Sequence, residues 1–189
     1  HECSSAASDV YKRQTLMYCC VVSFPSMVSA QEQKPNVIYI LADDLGYGDV
    51  GYNGQELIET PELDKLAHNG MRFTNHYCGN AVCAPSRASL LMGQHPGHAY
   101  IRSNSPGYPD GQTPIPADSE TLGKLMQRAG YKTACIGKWG LGGFHDKGNP
   151  NKQGFDYFYG YTDQVKAHNY YPKYLWQNGI KQFLDNGNG

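Results

Sequence analysis

The chain contains the apolar stretch Asn36-Val-Ile-Tyr-Ile-Leu-Ala42, and two carboxylates, Asp43 and Asp44, follow it directly. A short run that is nearly all apolar is typical of a strand buried on both faces of a parallel sheet. In an open α/β sheet, ligands bind outside the carboxyl ends of the strands. The stretch therefore predicts an α/β fold in which Asp43 and Asp44 stand where a functional site would form.

The chain after this stretch predicts further helices and strands. Apolar periodicity, capping residues and glycine stops indicate three helices, at residues 60–70, 85–92 and 119–129. Residues 71–77 and 132–136 are expected to be strands. This order of elements is typical of a sheet sandwiched by helices. Beyond residue 138 the chain is rich in Gly, Asn and Tyr, so we expect little regular structure there.

The first thirty residues differ from the rest of the chain. Residues 1–14 end in Asp9-Val-Tyr-Lys-Arg-Gln14, which resembles the translation of a sequencing-library adapter, so we interpret them as an artefact or a non-native tail. Residues 15–30 form an apolar run that ends in small residues, as in the remnant of a signal peptide. The run is too short to insert stably in a membrane. Residues 31–189 are thus expected to be exported, to the periplasm or the cell exterior.

Charge and cysteine content narrow the function further. The net charge of -1 gives no support for a nucleic-acid or membrane-surface partner. The 15 tyrosines suit either aromatic walls around a ligand or a merely Tyr-rich surface. After residue 30 the cysteines are Cys78, Cys83 and Cys135. An odd number of cysteines in an exported protein indicates one thiol with chemistry of its own.

Cys83 is the best candidate for that thiol, because it opens Cys83-Ala-Pro-Ser-Arg87 at the start of a predicted helix. Free N–H groups at a helix start attract anions and stabilise a thiolate or an oxyanion. Arg87 lies one turn later and can reach back, and Lys138 adds a cation at a strand end. Alone, each of these residues is more often structural or solvated, as is the pair Asp43 and Asp44. Adjacent carboxylates do, however, suit calcium or magnesium.

Three motifs together resemble the sulfatase family. They are Ala42-Asp-Asp-Leu-Gly-Tyr-Gly-Asp49, Ala81-Val-Cys-Ala-Pro-Ser-Arg-Ala-Ser-Leu-Leu-Met-Gly93 and Gly130-Tyr-Lys-Thr-Ala-Cys-Ile-Gly-Lys-Trp139. The resemblance runs from about Lys34 to Phe158. It implies an alkaline-phosphatase-like α/β fold, with a largely parallel sheet sandwiched by helices and truncated at the C-terminus. It also implies hydrolysis of sulfate esters, on a sulfated carbohydrate or an aryl sulfate.

The resemblance implies a role for each candidate residue. Cys83 would be oxidised by a formylglycine-generating maturation enzyme to the catalytic nucleophile. Asp43, Asp44 and the modified Cys83 would bind calcium, with magnesium as the alternative. Arg87 would anchor the formylglycine, and Lys138 would bind the sulfate oxygens.

The sequence departs from the family pattern at Gly140, where a His often follows the lysine by two residues. His145 and His168 are candidates to take over its part in substrate binding. The family's remaining metal ligands and its general-acid His would lie beyond residue 189. We therefore expect residues 31–189 alone to be poorly stable, to bind calcium weakly and not to turn over aryl sulfates.

Other functions stay open. A phosphoester or phosphonate hydrolase of the same superfamily would also need cations around a tetrahedral anion, but it would more often carry Ser or Thr in place of Cys83. A non-catalytic carbohydrate-binding module could use the tyrosines, although binding alone does not require a modifiable cysteine. A fragment without activity is the remaining alternative. The sequence does not identify the sugar or the position of its sulfate.

Overall fold

The computed structural model describes residues 34–107 and 109–186, and the predicted tail and signal remnant lie outside these residues. The chain divides after Ala42 into two units. Residues 34–42 of the first unit contain no helix or strand, and their side chains are exposed. The prediction of a buried strand at residues 36–42 is therefore wrong for this structure. An apolar stretch becomes a strand only where a neighbouring strand accepts its backbone hydrogen bonds, and no described strand pairs with this one.

The second unit contains helices close to the predicted positions. Proline at the first helical position confirms the start of the first helix. The third helix begins later than predicted, because the Thr121 side chain accepts the N–H of Lys124 and caps it there. Among the described residues, no helix has the length and apolarity needed to cross a membrane. The helices are α1 Pro61–Asn69, α2 Cys83–Met92, α3 Leu122–Arg128 and the short α4 Gln164–Ala167.

The described strands form one mixed sheet of four strands, in the order β1-β2-β3-β4. The pairing of β1 with β2 is parallel, whereas β2 with β3 and β3 with β4 are antiparallel. The strand predicted at residues 132–136 is present two residues later, and residues 71–77 contain no strand. The strands are β1 Ala134–Lys138, β2 Tyr157–Tyr161, β3 Tyr174–Gln177 and β4 Ile180–Phe183.

Three of these strands lie beyond residue 138, where little regular structure was expected, so that prediction is wrong. The strands β2 and β3 are built from Tyr, Phe and Trp, which favour strands as strongly as aliphatic residues do. Asn178 and Gly179 join β3 to β4 with φ values of 47° and 86°. An Asn-Gly pair between two strand-forming runs is a strong hairpin signal, so this hairpin could have been identified from the sequence.

The core packs α2 against residues of the sheet and of the segment that follows β1. Trp139 is 2% exposed, and its indole N–H donates to the carbonyl of Gly148 at 2.8 Å. Gly160 faces Gly137 across the parallel pair so closely that a Cβ at position 160 would overlap the Gly137 backbone. This pairing places Lys138, the last residue of β1, opposite Tyr161. The core consists of Ala84, Ala88, Ile101, Ile115, Trp139, Leu141, Phe158 and Trp176.

Asp110 is a buried carboxylate that is hydrogen-bonded to the core residue Trp176 and to its neighbours. Its Oδ2 accepts hydrogen bonds from Tyr174 Oη at 2.8 Å and Trp176 Nε1 at 3.0 Å, and Lys166 Nζ lies 3.0 Å away. Its Oδ1 accepts from Thr162 Oγ1 at 3.3 Å. Burial by itself raises the pKa of Asp110, but the hydrogen bonds from Tyr174, Lys166 and Trp176 together outweigh burial and hold the pKa below its usual value.

This network predicts acid-sensitive stability. Because the folded pKa of Asp110 is depressed, its contribution is present above the unfolded value of 3.8 and is lost as pH falls through the folded pKa. We expect Asp110→Asn to lower the free energy of unfolding at pH 7 by on the order of 3 kcal/mol, since it leaves buried donors unsatisfied. The substitution should also flatten the fall in stability below pH 4, as measured by denaturant unfolding across pH. An equal effect from the exposed Asp118→Asn would contradict this assignment.

Candidate active site

Cys83 is the first residue of α2 and is partly exposed. The preceding Val82 has an extended backbone and no side chain that could cap the helix. The N–H of Ala84 is instead satisfied by Asn104, whose Oδ1 accepts it at 2.9 Å. Ala84 and Ala88 are buried in the core, and this packing fixes the orientation of the helix start that carries Cys83.

Two cations lie beside Cys83. The Nζ atom of Lys138 is 3.3 Å from Cys83 Sγ, and the Lys138 side chain is only 7% exposed. Arg87, one turn along α2, donates from Nη1 to the Lys138 carbonyl at 2.7 Å. The end of β1 and the start of α2 are therefore held together by these two side chains, and the Lys138 ammonium lies against the thiol.

Asp43 is the anion that pairs with these two cations. Its Oδ2 is ion-paired with Lys138, and its Oδ1 lies 3.3 Å from Nη2 of Arg87. Partial burial raises the pKa of Asp43, but the hydrogen bond and charge of Lys138, and then those of Arg87, hold the pKa below its usual value. Asp44 follows with a left-handed φ of 57° and has no hydrogen bond or ion pair in the described structure.

The structure thus brings together Asp43, Cys83, Arg87 and Lys138, which we call the Cys83 cluster. The carboxylates of Asp43 and Asp44 have the oxygen chemistry that calcium prefers. Within residues 34–107 and 109–186, however, no three His, Cys, Asp or Glu side chains are arranged to hold a metal ion.

The two candidate histidines do not contact the Cys83 cluster. His145 is exposed, and its ring packs against Trp176 with centroids 6.1 Å apart. His168 is the exposed C-cap of α4. The side chain beside Gly140 is that of Gln164, since a Cβ added at position 140 would lie 2.6 Å from Gln164 Nε2.

Asn104 and Gln164 were not among the residues predicted from the sequence. Neither residue belongs to one of the three motifs, and each lies in a segment with no periodic pattern that would have indicated a place near the thiol. Both are polar amides that reach the helix start only through the folding of distant segments, which are 20 and 80 residues away from Ala84 along the chain.

The three described cysteines are free but differ in environment. Burial raises the pKa of Cys135 to about 11, against the opposing charge of Arg87, so this thiol stays protonated at neutral pH. Cys78 is exposed and lies 3.1 Å from the Asn80 carbonyl. Of the three, Cys83 alone has a lysine ammonium within hydrogen-bonding distance.

Comparison with known proteins identifies the family of the chain. The sulfatase family model matches residues 35–188. Arylsulfatase G of Homo sapiens is 42% identical over 140 residues, which are 74% of this chain and 26% of the human protein. The chain spans about a quarter of the length of such curated relatives.

Solved structures extend the match to the fold. The crystal structure of Ps i-CgsB has a TM-score of 0.70 and 35% identity, over 80% of this chain and 38% of that one. The structure of BT4656 in complex with its substrate D-glucosamine-2-N,6-O-disulfate has a TM-score of 0.65 and 32% identity, over 80% and 28%. These matches confirm the predicted α/β, alkaline-phosphatase-like fold class, within which the four described strands form a mixed sheet. On its sequence, its fold and its match to the family model, the chain belongs to the sulfatase family.

Proposed function

We propose that residues 31–189 are the N-terminal part of a sulfatase catalytic domain that hydrolyses sulfate esters with a nucleophile derived from Cys83. The observation that carries this proposal is the Cys83 cluster. Lys138 Nζ lies 3.3 Å from the Cys83 sulfur, and Arg87 and Asp43 are joined to the same lysine. Two cations beside a helix start, in a chain of this family, suit an anionic group bound next to position 83.

The nucleophile is formylglycine, produced from Cys83 by a maturation enzyme. Its hydrated aldehyde supplies two hydroxyls on one carbon, one to attack sulfur and the other to expel sulfate afterwards. The cluster explains how the chain would support this chemistry. Arg87 and Lys138 would bind the sulfuryl oxygens and stabilise the negative charge that grows on them as the bond to the leaving alcohol breaks. Lys138 Nζ, which lies 3.3 Å from Cys83 Sγ, would lie beside the group formed at position 83.

Calcium is the proposed metal, with magnesium as the alternative. Asp43 and Asp44 would contribute carboxylate oxygens, and the modified Cys83 side chain would contribute one more. Calcium takes six to eight oxygen ligands, so the others would come from further parts of a full-length protein. In the described structure the Asp43 carboxylate is paired with Lys138 and Arg87.

The proposed substrate is a sulfated carbohydrate or an aryl sulfate, and export to the periplasm or cell exterior would give access to it. The support is the likeness to BT4656, solved with its substrate D-glucosamine-2-N,6-O-disulfate, and to arylsulfatase G. The exposed rings of Tyr170 and Tyr171, 85% and 68% exposed, suit contact with a sugar face.

The test is to express a full-length protein that contains this chain together with a formylglycine-generating enzyme, and to assay chromogenic aryl sulfate and aryl phosphate in parallel. We expect the sulfate ester to be the better substrate by at least about a hundredfold in kcat/KM, or about 2.7 kcal/mol of transition-state stabilisation. A chelator should remove the activity and added calcium should restore it. Preferential turnover of the phosphate ester would instead support the phosphoester hydrolase. Turnover of neither ester would contradict the proposed hydrolysis of aryl sulfates.

A further inference from the structure

A chain of two amides leads from the start of α2 to Gln164, the first residue of α4. Asn104 Oδ1 accepts the N–H of Ala84 at 2.9 Å, and the same oxygen accepts Nε2 of Gln164 at 3.2 Å. Ala84 is the residue that follows Cys83 in the helix. We call Asn104 and Gln164 the amide relay.

The direction of the relay follows from its first hydrogen bond. A backbone N–H can only donate, so the Asn104 atom that faces Ala84 must be its oxygen. The Gln164 atom that faces this oxygen must then be its NH2 group, which assigns both amides without ambiguity. The remaining oxygen of Gln164, Oε1, is buried and has no hydrogen-bond partner in the described structure.

Gln164 is held in place by close packing. It is 2% exposed, and it occupies the volume that any side chain at position 140 would need. Gly140 has a φ of 73°, a conformation that glycine adopts readily, and its N–H donates to the Thr162 carbonyl at 3.3 Å. The segment that starts with Lys138 therefore packs on Gln164, and the helix that starts with Cys83 is bonded to Asn104, so the two are linked through a pair of hydrogen-bonded amides.

We propose that Asn104 and Gln164 are positioning residues for the nucleophile, because they hold the first turn of α2 in a fixed relation to Lys138. The proposal rests on the proposed function, since the reacting group at position 83 is derived from a cysteine whose backbone precedes the Ala84 amide. Reacting groups must be aligned closely, and small displacements cost large factors in rate.

Two acidic variants test the relay because they should behave differently. Asn104→Asp keeps an acceptor for both Ala84 and Gln164. Gln164→Glu replaces the donor with an acceptor that repels Asn104 Oδ1. In the full-length enzyme, we expect Gln164→Glu and Gln164→Ala to lower kcat by about 10- to 100-fold with little change in KM. Asn104→Asp should lose clearly less kcat than Asn104→Ala.

Gln153 provides the matched control. It is also a fully buried glutamine with an unpartnered Oε1, and its NH2 group donates to the carbonyls of Pro116 and Lys147. Gln153→Ala should lower the thermal unfolding midpoint as much as Gln164→Ala but leave kcat of the folded enzyme close to that of the wild type. Equal kcat in the two variants would overturn the proposal.

A second readout does not depend on catalysis. The Ala84 N–H has no acceptor within its own helix, so its hydrogen exchange reports on Asn104 directly. In the intact chain, Asn104→Ala and Gln164→Glu should speed that exchange by about five- to tenfold relative to the wild type. An unprotected Ala84 amide in the wild type would refute the relay. A protected amide in a protein that hydrolyses no sulfate ester would support the relay as a structural link and refute the proposed function.

Discussion

Cys83→Ala is expected to abolish sulfate ester hydrolysis in the full-length protein. The substitution removes the atom from which the nucleophile is made, and the loss should be at least about 10⁴-fold in kcat, on the scale seen when a covalent nucleophile is removed. The measurement is kcat on a chromogenic aryl sulfate after co-expression with the maturation enzyme. Peptide mass spectrometry should show conversion of thiol to aldehyde at Cys83 in the wild type only.

Cys78→Ala is the control for this result. Cys78 is exposed and its only described hydrogen bond is to Asn80, so its removal should change neither the conversion of Cys83 nor the rate. An unconverted Cys83 in a protein that nevertheless hydrolyses the ester would contradict the assignment of the nucleophile.

Lys138→Met is expected to have the second largest effect. It keeps most of the side-chain volume but removes the ammonium that lies against both Cys83 and Asp43. We expect kcat/KM to fall by about 10²- to 10³-fold, which is the usual cost of losing one preorganised group that stabilises transition-state charge. Steady-state kinetics at pH 7 would measure the loss.

Lys124→Met is the control for this result, because it makes the same chemical change at a lysine outside the Cys83 cluster. Lys124 donates to the carbonyls of Ala117 and Ser119 near the start of α3 and contacts no residue of the Cys83 cluster. Its replacement should leave kcat/KM within about twofold of the wild type, as expected for a surface contact. If Lys138→Met were as mild as Lys124→Met, Lys138 would not bind the sulfate group.

Local patterns predicted the helices better than the strands. Proline at the start of α1 and the apolar spacing of α2 and α3 are properties of single segments, so they can be identified without knowledge of the partners. A strand depends on its neighbour. Residues 36–42 have a good strand composition and no described partner, whereas β2 pairs with β1 despite a sequence, Tyr157-Phe-Tyr-Gly-Tyr161, that does not alternate between apolar and polar residues.

The site residues also divide into those that a local pattern predicts and those that depend on tertiary contacts. Cys83 and Arg87 could be grouped from their spacing on one helix, and Lys138 from its place at a strand end. Asn104 and Gln164 could not be predicted, because their positions follow from tertiary contacts between segments that no sequence pattern connects. The resemblance made His145 and His168 candidates to take over from the His that is absent at Gly140, whereas the side chain beside Gly140 is that of Gln164.

The place of the buried Asp110 in the sequence also affects folding during synthesis. Its donors on Thr162, Tyr174 and Trp176 lie 52, 64 and 66 residues later in the sequence. A ribosome synthesises Asp110 well before these partners, so the nascent loop must keep its carboxylate hydrated until β3 has emerged. A truncated transcript or a proteolytic cut that ends the chain before Trp176 would leave the Asp110 carboxylate without its indole donor. The loop that carries Asp110 would then remain open to degradation.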